Sequence, residues 1–237
     1  MKKILFCLLL VGSLFSMSSC RDIDSYDTST ITNFVTFTVT GGDVSIPIGS
    51  TFTDPGVVAK EGTEDETSSV TKSGSVDVSK AGVYTITYSA TNKDGFSSSA
   101  TRKVYVYDPN NTTSDISGTY TLADGSYRLN TTSGAKTAFS GYDVTIQKVA
   151  PGIYYMSDYI GGYYAQRAGD GSAYAMTGYF SLNNDYSIAA LSGDVAGFGD
   201  SMNSLTNGLY DVSTNSVSYV VTYATVLEFH IALDLNN

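Results

Sequence analysis

Across residues 34–107 apolar and polar positions alternate with a period of two in short runs, and no helical period of about 3.6 residues appears. In residues 83–90 the alternation sets Tyr84, Ile86, Tyr88 and Ala90 on one face, and residues 100–107 alternate in the same way, as half-buried strands do. Asn92-Lys93-Asp94-Gly95 lies between these runs. It predicts a hairpin, because glycine takes up the positive φ of a tight turn without a Cβ clash.

The same pattern continues toward the C-terminus. Strands are predicted at residues 142–146 before the turn Ala150-Pro151-Gly152, then at 153–159, 172–182 and 217–223. In the last strand Leu227, Phe229, Ile231, Leu233 and Leu235 share one face, leaving Glu228, His230 and Asp234 on the other. A polar stretch, Asp108-Pro109-Asn110-Asn111-Thr112-Thr113, separates the two strand-rich regions and reads as a linker. The prediction is an all-β chain: an Ig-like β-sandwich at 34–108, a linker at 109–113, and a second antiparallel β domain, sandwich or barrel-like, at 114–237. Gly82-Val83-Tyr84 resembles the tyrosine corner of Ig-like sandwiches, with Ile86 where an antibody domain carries a cysteine.

The N-terminus follows a different pattern. Met1-Lys2-Lys3 is basic, residues 4–15 are apolar but too few to span a bilayer, and Ser18-Ser19 precede Cys20. This predicts a lipoprotein signal peptide at 1–19, acylation of Cys20, a tether at 20–33 and a membrane attachment through the lipid. Cys7 leaves with the signal, so no disulfide is expected. The competing reading is a plain secretory signal with Cys20 left free. Arg21, Asp22, Ile23 and Asp24 after the cysteine resemble the surface-export signal of Bacteroides-type outer-membrane lipoproteins, which implies an outer-membrane protein facing the cell exterior.

Charge narrows the partners. The chain carries 13 basic and 23 acidic residues, and loss of Lys2 and Lys3 with the signal makes it more acidic still. Such a surface repels phosphate backbones, so nucleic acid is excluded as a partner. Residues 112–237 hold 14 of the 19 tyrosines, but only four basic residues against eleven acidic ones. Eight tyrosines crowd into residues 154–186, and a tyrosine ring with its polar tip suits sugar C–H faces or peptide surfaces. In Tyr159-Ile160-Gly161-Gly162-Tyr163-Tyr164 the glycines predict a bend that presents rings from a loop, with Asp158, Gln166 and Arg167 nearby as hydrogen-bonding groups. Candidate ligand-binding residues are therefore Tyr159, Tyr163, Tyr164, Asp158, Gln166 and Arg167. Against this stands ordinary core packing, since tyrosines favour strands.

Catalytic and metal chemistry find less support. His230 beside Glu228, with a serine such as Ser157, sketches a hydrolase, but no Gly-x-Ser-x-Gly elbow accompanies it. A carboxylate pair for glycoside hydrolysis has only the undirected set Asp158, Asp170, Asp185, Asp194 and Asp200 to draw on. One histidine and no mature thiol leave the common zinc sets unmet. Asp54, Asp65, Asp77 and Asp94 lack calcium-loop spacing and read as turns. No cofactor and no enzymatic activity are expected.

Ile48-Gly49-Ser50-Thr51-Phe52-Thr53-Asp54-Pro55-Gly56-Val57, Val76-Asp77, Ala81-Gly82-Val83-Tyr84, Tyr88 and Ala100-Thr101-Arg102-Lys103-Val104 resemble a bacterial Ig-like domain that recurs in surface lipoproteins. Ile116-Ser117-Gly118-Thr119-Tyr120, Val144-Thr145-Ile146, residues 152–158, Gly161-Gly162-Tyr163-Tyr164 and Phe198-Gly199-Asp200 resemble the C-terminal domain behind that module in lipoproteins encoded with SusC/SusD-like uptake systems. The resemblance implies a non-catalytic accessory lipoprotein that captures a nutrient glycan or peptide beside a TonB-dependent transporter. Two alternatives stay open: a structural docking subunit of that complex without a ligand, and a weak hydrolase with an unidentified carboxylate site.

Overall fold

The computed structural model describes residues 31–236. The expected signal peptide at 1–19, Cys20 as the expected acylation site and most of the expected tether lie outside the described residues. Among the described residues no helix is long and apolar enough to cross a membrane.

The first β domain comprises β1 (Val35–Val39), β2 (Val44–Pro47), β3 (Val57–Glu61), β4 (Glu64–Asp65), β5 (Thr71–Ser73), β6 (Gly82–Thr91) and β7 (Ser97–Tyr107). They form a three-stranded sheet, β1-β3-β4, and a four-stranded sheet, β2-β7-β6-β5. The alternation foreseen in β6 and β7 buries Ile86, Tyr88, Val104 and Val106. The predicted hairpin closes with the Asn92 amide donating to Phe96 O at 2.9 Å and Gly95 at a φ of 86°. The tyrosine corner is present as well, with the Tyr84 hydroxyl donating to Lys80 O at 2.9 Å.

Alternation also points Arg102 inward, where it is wholly buried. Its guanidinium donates to Thr40 O at 2.8 Å, to Gly56 O at 2.9 Å, to the Tyr88 hydroxyl at 3.0 Å and to Gly42 O, and pairs with Asp54 at 3.3 Å. Asp54 is thus more than the turn residue expected, since it also accepts from the Tyr88 hydroxyl at 2.6 Å and pairs with Lys72 at 3.3 Å. Asp65 and Asp77 do serve local turns, accepting from the amides of Thr67 and Ser79.

The second domain comprises β8 (Gly118–Leu122), β9 (Tyr127–Asn130), β10 (Lys136–Ala138), β11 (Asp143–Ala150), β12 (Ile153–Met156), β13 (Met176–Leu182), β14 (Ile188–Val195), β15 (Asp200–Ser201), β16 (Ser204–Asp211), β17 (Ser216–Tyr223) and β18 (Leu227–Leu235). All pair antiparallel in one sheet. From β8 the sheet runs one way through β11, β12, β13 and β14, and the other way through β18, β17 and β16. The two ends meet where Ser187 bridges Leu209 and the Tyr210 amide donates to Tyr186 O at 3.0 Å. Eight strands therefore roll into a barrel, with the β9–β10 hairpin attached along β18. Gly208 permits the closure, because a Cβ there would lie 2.6 Å from the Ile188 carbonyl.

A barrel of this strand number is just wide enough to be filled by side chains. Tyr120, Tyr154, Phe180, Phe229, Met156 and Ile146 fill it and are shielded from solvent. The tyrosine richness is thus explained largely by the core. A second tyrosine corner opens the domain, the Tyr120 hydroxyl donating to Ile116 O at 2.8 Å.

The two β domains touch directly. Tyr105 packs with Ala150 and Ile153, its ring meets that of Tyr179 at 6.2 Å, and the Lys103 ammonium donates to the Tyr179 hydroxyl. The linker turns at Asp108, which accepts from the Asn110 amide at 2.9 Å. It then passes so close to Gly152 that a Cβ there would lie 2.7 Å from Asn111 Cβ.

Candidate ligand-binding site

The strands predicted at 153–159 and 172–182 are shorter than expected, because β12 stops at Met156 and β13 starts at Met176. Asp158 governs the chain between them. Its Oδ1 accepts from the amides of Ile160 at 3.0 Å and Met176 at 3.1 Å, and its Oδ2 accepts from the Gly162 amide at 3.0 Å. One carboxylate therefore ties both ends of a loop together. Burial pushes its pKa up to about 6, while the three amide donors pull the other way. Beyond it, Gly162 at a φ of 78° and Gly169 at 81° bracket a single π-helical turn, Tyr163–Ala168. Such turns recur at functional sites.

This geometry corrects the expected platform. Asp158, Tyr159 and Tyr163 are 2%, 0% and 6% exposed and belong to the interior. The left-handed Gly161-Gly162 pair folds the segment back onto the barrel instead of presenting it outward. A Cβ on Gly161 would lie 2.8 Å from Leu122, and one on Gly162 2.9 Å from Tyr142. Gln166 lies at the surface, but its amide donates to Asp143 O at 2.8 Å and accepts from the Asp143 amide at 3.3 Å, so it fastens the turn to β11. Tyr164 is half-buried and Arg167 is exposed.

Two residues outside the predicted set complete the cluster. Arg128 on β9 places its guanidinium carbon 4.9 Å from the Tyr163 ring centroid, and Arg167 does the same at 4.9 Å. Phe198, at the tip of the β14–β15 hairpin, meets Tyr164 at 5.3 Å and Tyr174 at 4.8 Å. It is 45% exposed. Phe139 and Phe229 pack against Tyr163 from below at 5.1 and 5.4 Å. Phe198 was legible only within the Phe198-Gly199-Asp200 stretch. Nothing in the sequence joins Arg128 to Tyr163.

The electrostatics are unusual for so acidic a domain. Among the described residues neither Arg128 nor Arg167 forms an ion pair. Arg128 Nε is also buried without a hydrogen-bond acceptor, an arrangement that costs about 1–3 kcal/mol or more for a charged group. Cation–π contacts with Tyr163 offset part of that cost.

The hydrolase constellation does not assemble. His230 Nε2 lies 3.2 Å from Glu228 Oε2, as strand spacing predicts. However, the imidazole stacks on Tyr127 at 4.2 Å, and the Ser157 hydroxyl accepts from the Thr145 amide instead. Ser126 shares an open cleft of about 240 Å³ with His230, but its hydroxyl is held by both the amide and the carbonyl of Ala232. Four of the five carboxylates considered for glycoside hydrolysis are engaged in hydrogen bonds: Asp158 with three backbone amides, Asp185 with Ser187, Asp194 with Ser201 and Asp200 with Tyr223.

The architecture is an Ig-like sandwich followed by a second β domain, and comparison with known proteins matches the first to a bacterial surface module. Residues 37–106 match the family model for the bacterial surface protein Ig-like domain. Residues 108–235, more than half of the chain, match a C-terminal-domain family model. The chain is 44% identical to the lipoprotein BT2262 from Bacteroides thetaiotaomicron, covering 85% of this chain and 100% of that one, with a TM-score of 0.49. It belongs to the family of that lipoprotein. Two structures of Clostridium perfringens ZmpB containing carbohydrate-binding modules are 17% and 18% identical, over 56% and 54% of this chain and 34% and 14% of theirs, with TM-scores of 0.27 and 0.29. At that distance neither bears on function. No curated protein matches the chain.

Proposed function

We propose that this protein is a lipoprotein anchored through Cys20 in the outer membrane, facing the cell exterior, that binds a nutrient without turning it over. In this reading it serves as an accessory to a SusC/SusD-like, TonB-dependent transporter, and the nutrient is a glycan or a peptide. Its relation to BT2262, itself a lipoprotein, supports the anchor. The observation that carries the binding role is the cluster of Tyr164, Tyr174 and exposed Phe198 beside two arginines that have no ion-pair partner among the described residues. Exposed aromatics beside polar groups are what a capture surface uses.

The test is a binding screen of the full chain against polysaccharides and peptide mixtures, with Phe198→Ala beside it. Phe198 is suited to this because its exposure lets it be removed without opening the barrel core. Binding lost in that variant supports capture at this site.

The docking alternative has its own observation. Phe34 and Phe96, 55% and 51% exposed, lie 5.6 Å apart at the β6–β7 hairpin of the Ig-like domain. Exposed apolar pairs of this kind suit a protein partner. Retention of a transporter complex by the wild type but not by Phe96→Ser, with no ligand bound by either, would favour that reading.

A further inference from the structure

We infer that the site recognises a carboxylate carried by a peptide, with Arg128 and Arg167 as its receptors; this deepens, and rests on, the capture reading. Residues 112–237 contain four basic side chains against eleven acidic ones, so carboxylates are abundant and guanidinium groups scarce. Two of the four basic residues nevertheless converge on one tyrosine ring at 4.9 Å each. Among the described residues neither is paired with an acid. Asp170 is close enough for its charge to act on Tyr164, yet forms no ion pair with either.

The other two basic residues are engaged elsewhere. Lys148 donates to Thr113 O and Ser114 O, and Lys136 sits over Tyr127 at 3.5 Å. Two guanidinium groups beside one ring, with no ion pair among the described residues, leave positive charge at the site that an incoming anion can neutralise, and guanidinium groups match a carboxylate in charge and geometry.

The class of ligand follows from what surrounds the pair. Tyr163 is almost fully covered and Tyr164 is hemmed in by Tyr163, Phe198 and Phe229, so neither ring beside the arginines offers an open flat face to a sugar. The open aromatic is Phe198, which suits an apolar side chain. A polyuronate with a charge on every residue would be repelled by the acidic surface beyond the site. A peptide that presents one carboxylate next to an apolar group meets both features without that repulsion.

The test titrates the full chain with an N-terminally dansyl-labelled pentapeptide of alanines and one phenylalanine whose C-terminal carboxylate is its single charge, and with its C-terminally amidated, uncharged counterpart. A polygalacturonate oligomer and neutral dextran run in parallel. The proposal expects the acidic peptide to bind about tenfold or more tightly than the neutral one, a loss of similar size in Arg167→Gln and in Arg128→Gln, partial rescue in Arg128→Lys, and weaker binding as salt rises. Arg167 is exposed, so its variant keeps the test interpretable if Arg128→Gln unfolds. Equal binding of both peptides that depends on Phe198 but on neither arginine overturns the charge inference and leaves the capture reading standing. Arginine-dependent binding of polygalacturonate in place of peptide overturns the peptide assignment. No binding of any probe removes the inference and the capture reading together.

Discussion

Asp54 and Arg102 meet at 3.3 Å inside the Ig-like sandwich, the arginine side chain fully buried and the aspartate 9% exposed. The arginine also donates to three backbone carbonyls, so it ties the loops around Gly42 and Gly56 to the centre of β7. Breaking one side of such a pair leaves an uncompensated buried charge, at a cost of about 3–5 kcal/mol. Asp54→Ala and Arg102→Met should each destabilise by about that amount in urea unfolding, and the double variant by clearly less than the sum. Full additivity would mean that the two side chains act independently.

Asp158 sets a pH dependence of opposite sign to that of the turn aspartates. Its pKa is about 6 in the folded protein, raised by burial from an ordinary value of 3.8. The unfolded chain therefore releases this proton first as pH rises. Its contribution to stability is fully present below the unfolded value and is lost between about pH 4 and pH 6, amounting to about 3 kcal/mol. Asp115, Asp185 and Asp211 are held below their ordinary value by hydrogen bonds from serine hydroxyls and amides, so their effect falls at lower pH and leaves the window clear. Melting curves across pH 4–7 should show wild-type stability falling relative to Asp158→Asn. Parallel pH profiles for the two proteins would refute the assignment.

Strand identity was legible wherever one face meets the core and the other meets water, as in β6, β7 and β18. The same alternation placed Arg102 inward, although pattern alone says nothing of the five oxygen partners that make its burial tolerable. Residues 157–159 and 172–175 read as strand because their composition continues that of β12 and β13, and the bend at Gly161-Gly162 was legible but not its direction, which one buried carboxylate and two left-handed glycines set. Tyr164 and Arg167 stand out as candidates in the sequence because they sit in the conspicuous tyrosine run. Arg128 escaped notice because its partner, Tyr163, is 35 residues away in sequence, and only barrel closure brings them together.

The two tyrosine corners should differ in worth. Tyr120 is fully buried and donates to Ile116 O, while Tyr84 is partly exposed and donates to Lys80 O. Removing the Tyr120 hydroxyl leaves a buried carbonyl without its donor, which costs about 1–3 kcal/mol. The Lys80 carbonyl can turn to water. Tyr120→Phe should therefore lower the denaturant midpoint markedly and Tyr84→Phe only slightly, and the reverse order would show that solvent access does not decide the corner's value.

Gly162 connects stability to the candidate site. It sits at a φ of 78°, and a Cβ there would lie 2.9 Å from Tyr142 Cβ and 3.0 Å from Gln166 Nε2. Left-handed backbone costs a non-glycine residue about 1–2 kcal/mol before any clash is counted. Since the Gly162 amide is one of the three donors to Asp158 and its carbonyl accepts from the amides of Gln166 and Arg167, relief of the strain must move the π-helical turn that carries Tyr163 and Arg167. Gly162→Ala should lower stability by about 2 kcal/mol and weaken ligand binding together with it. Gly169→Ala, with similar backbone strain at a φ of 81° but nothing within 4 Å of its added methyl, should cost less and leave binding closer to wild type. Equal losses in the two variants would show that backbone conformation alone, and not the packing of the turn against the barrel, holds Tyr163 and Arg167 in place.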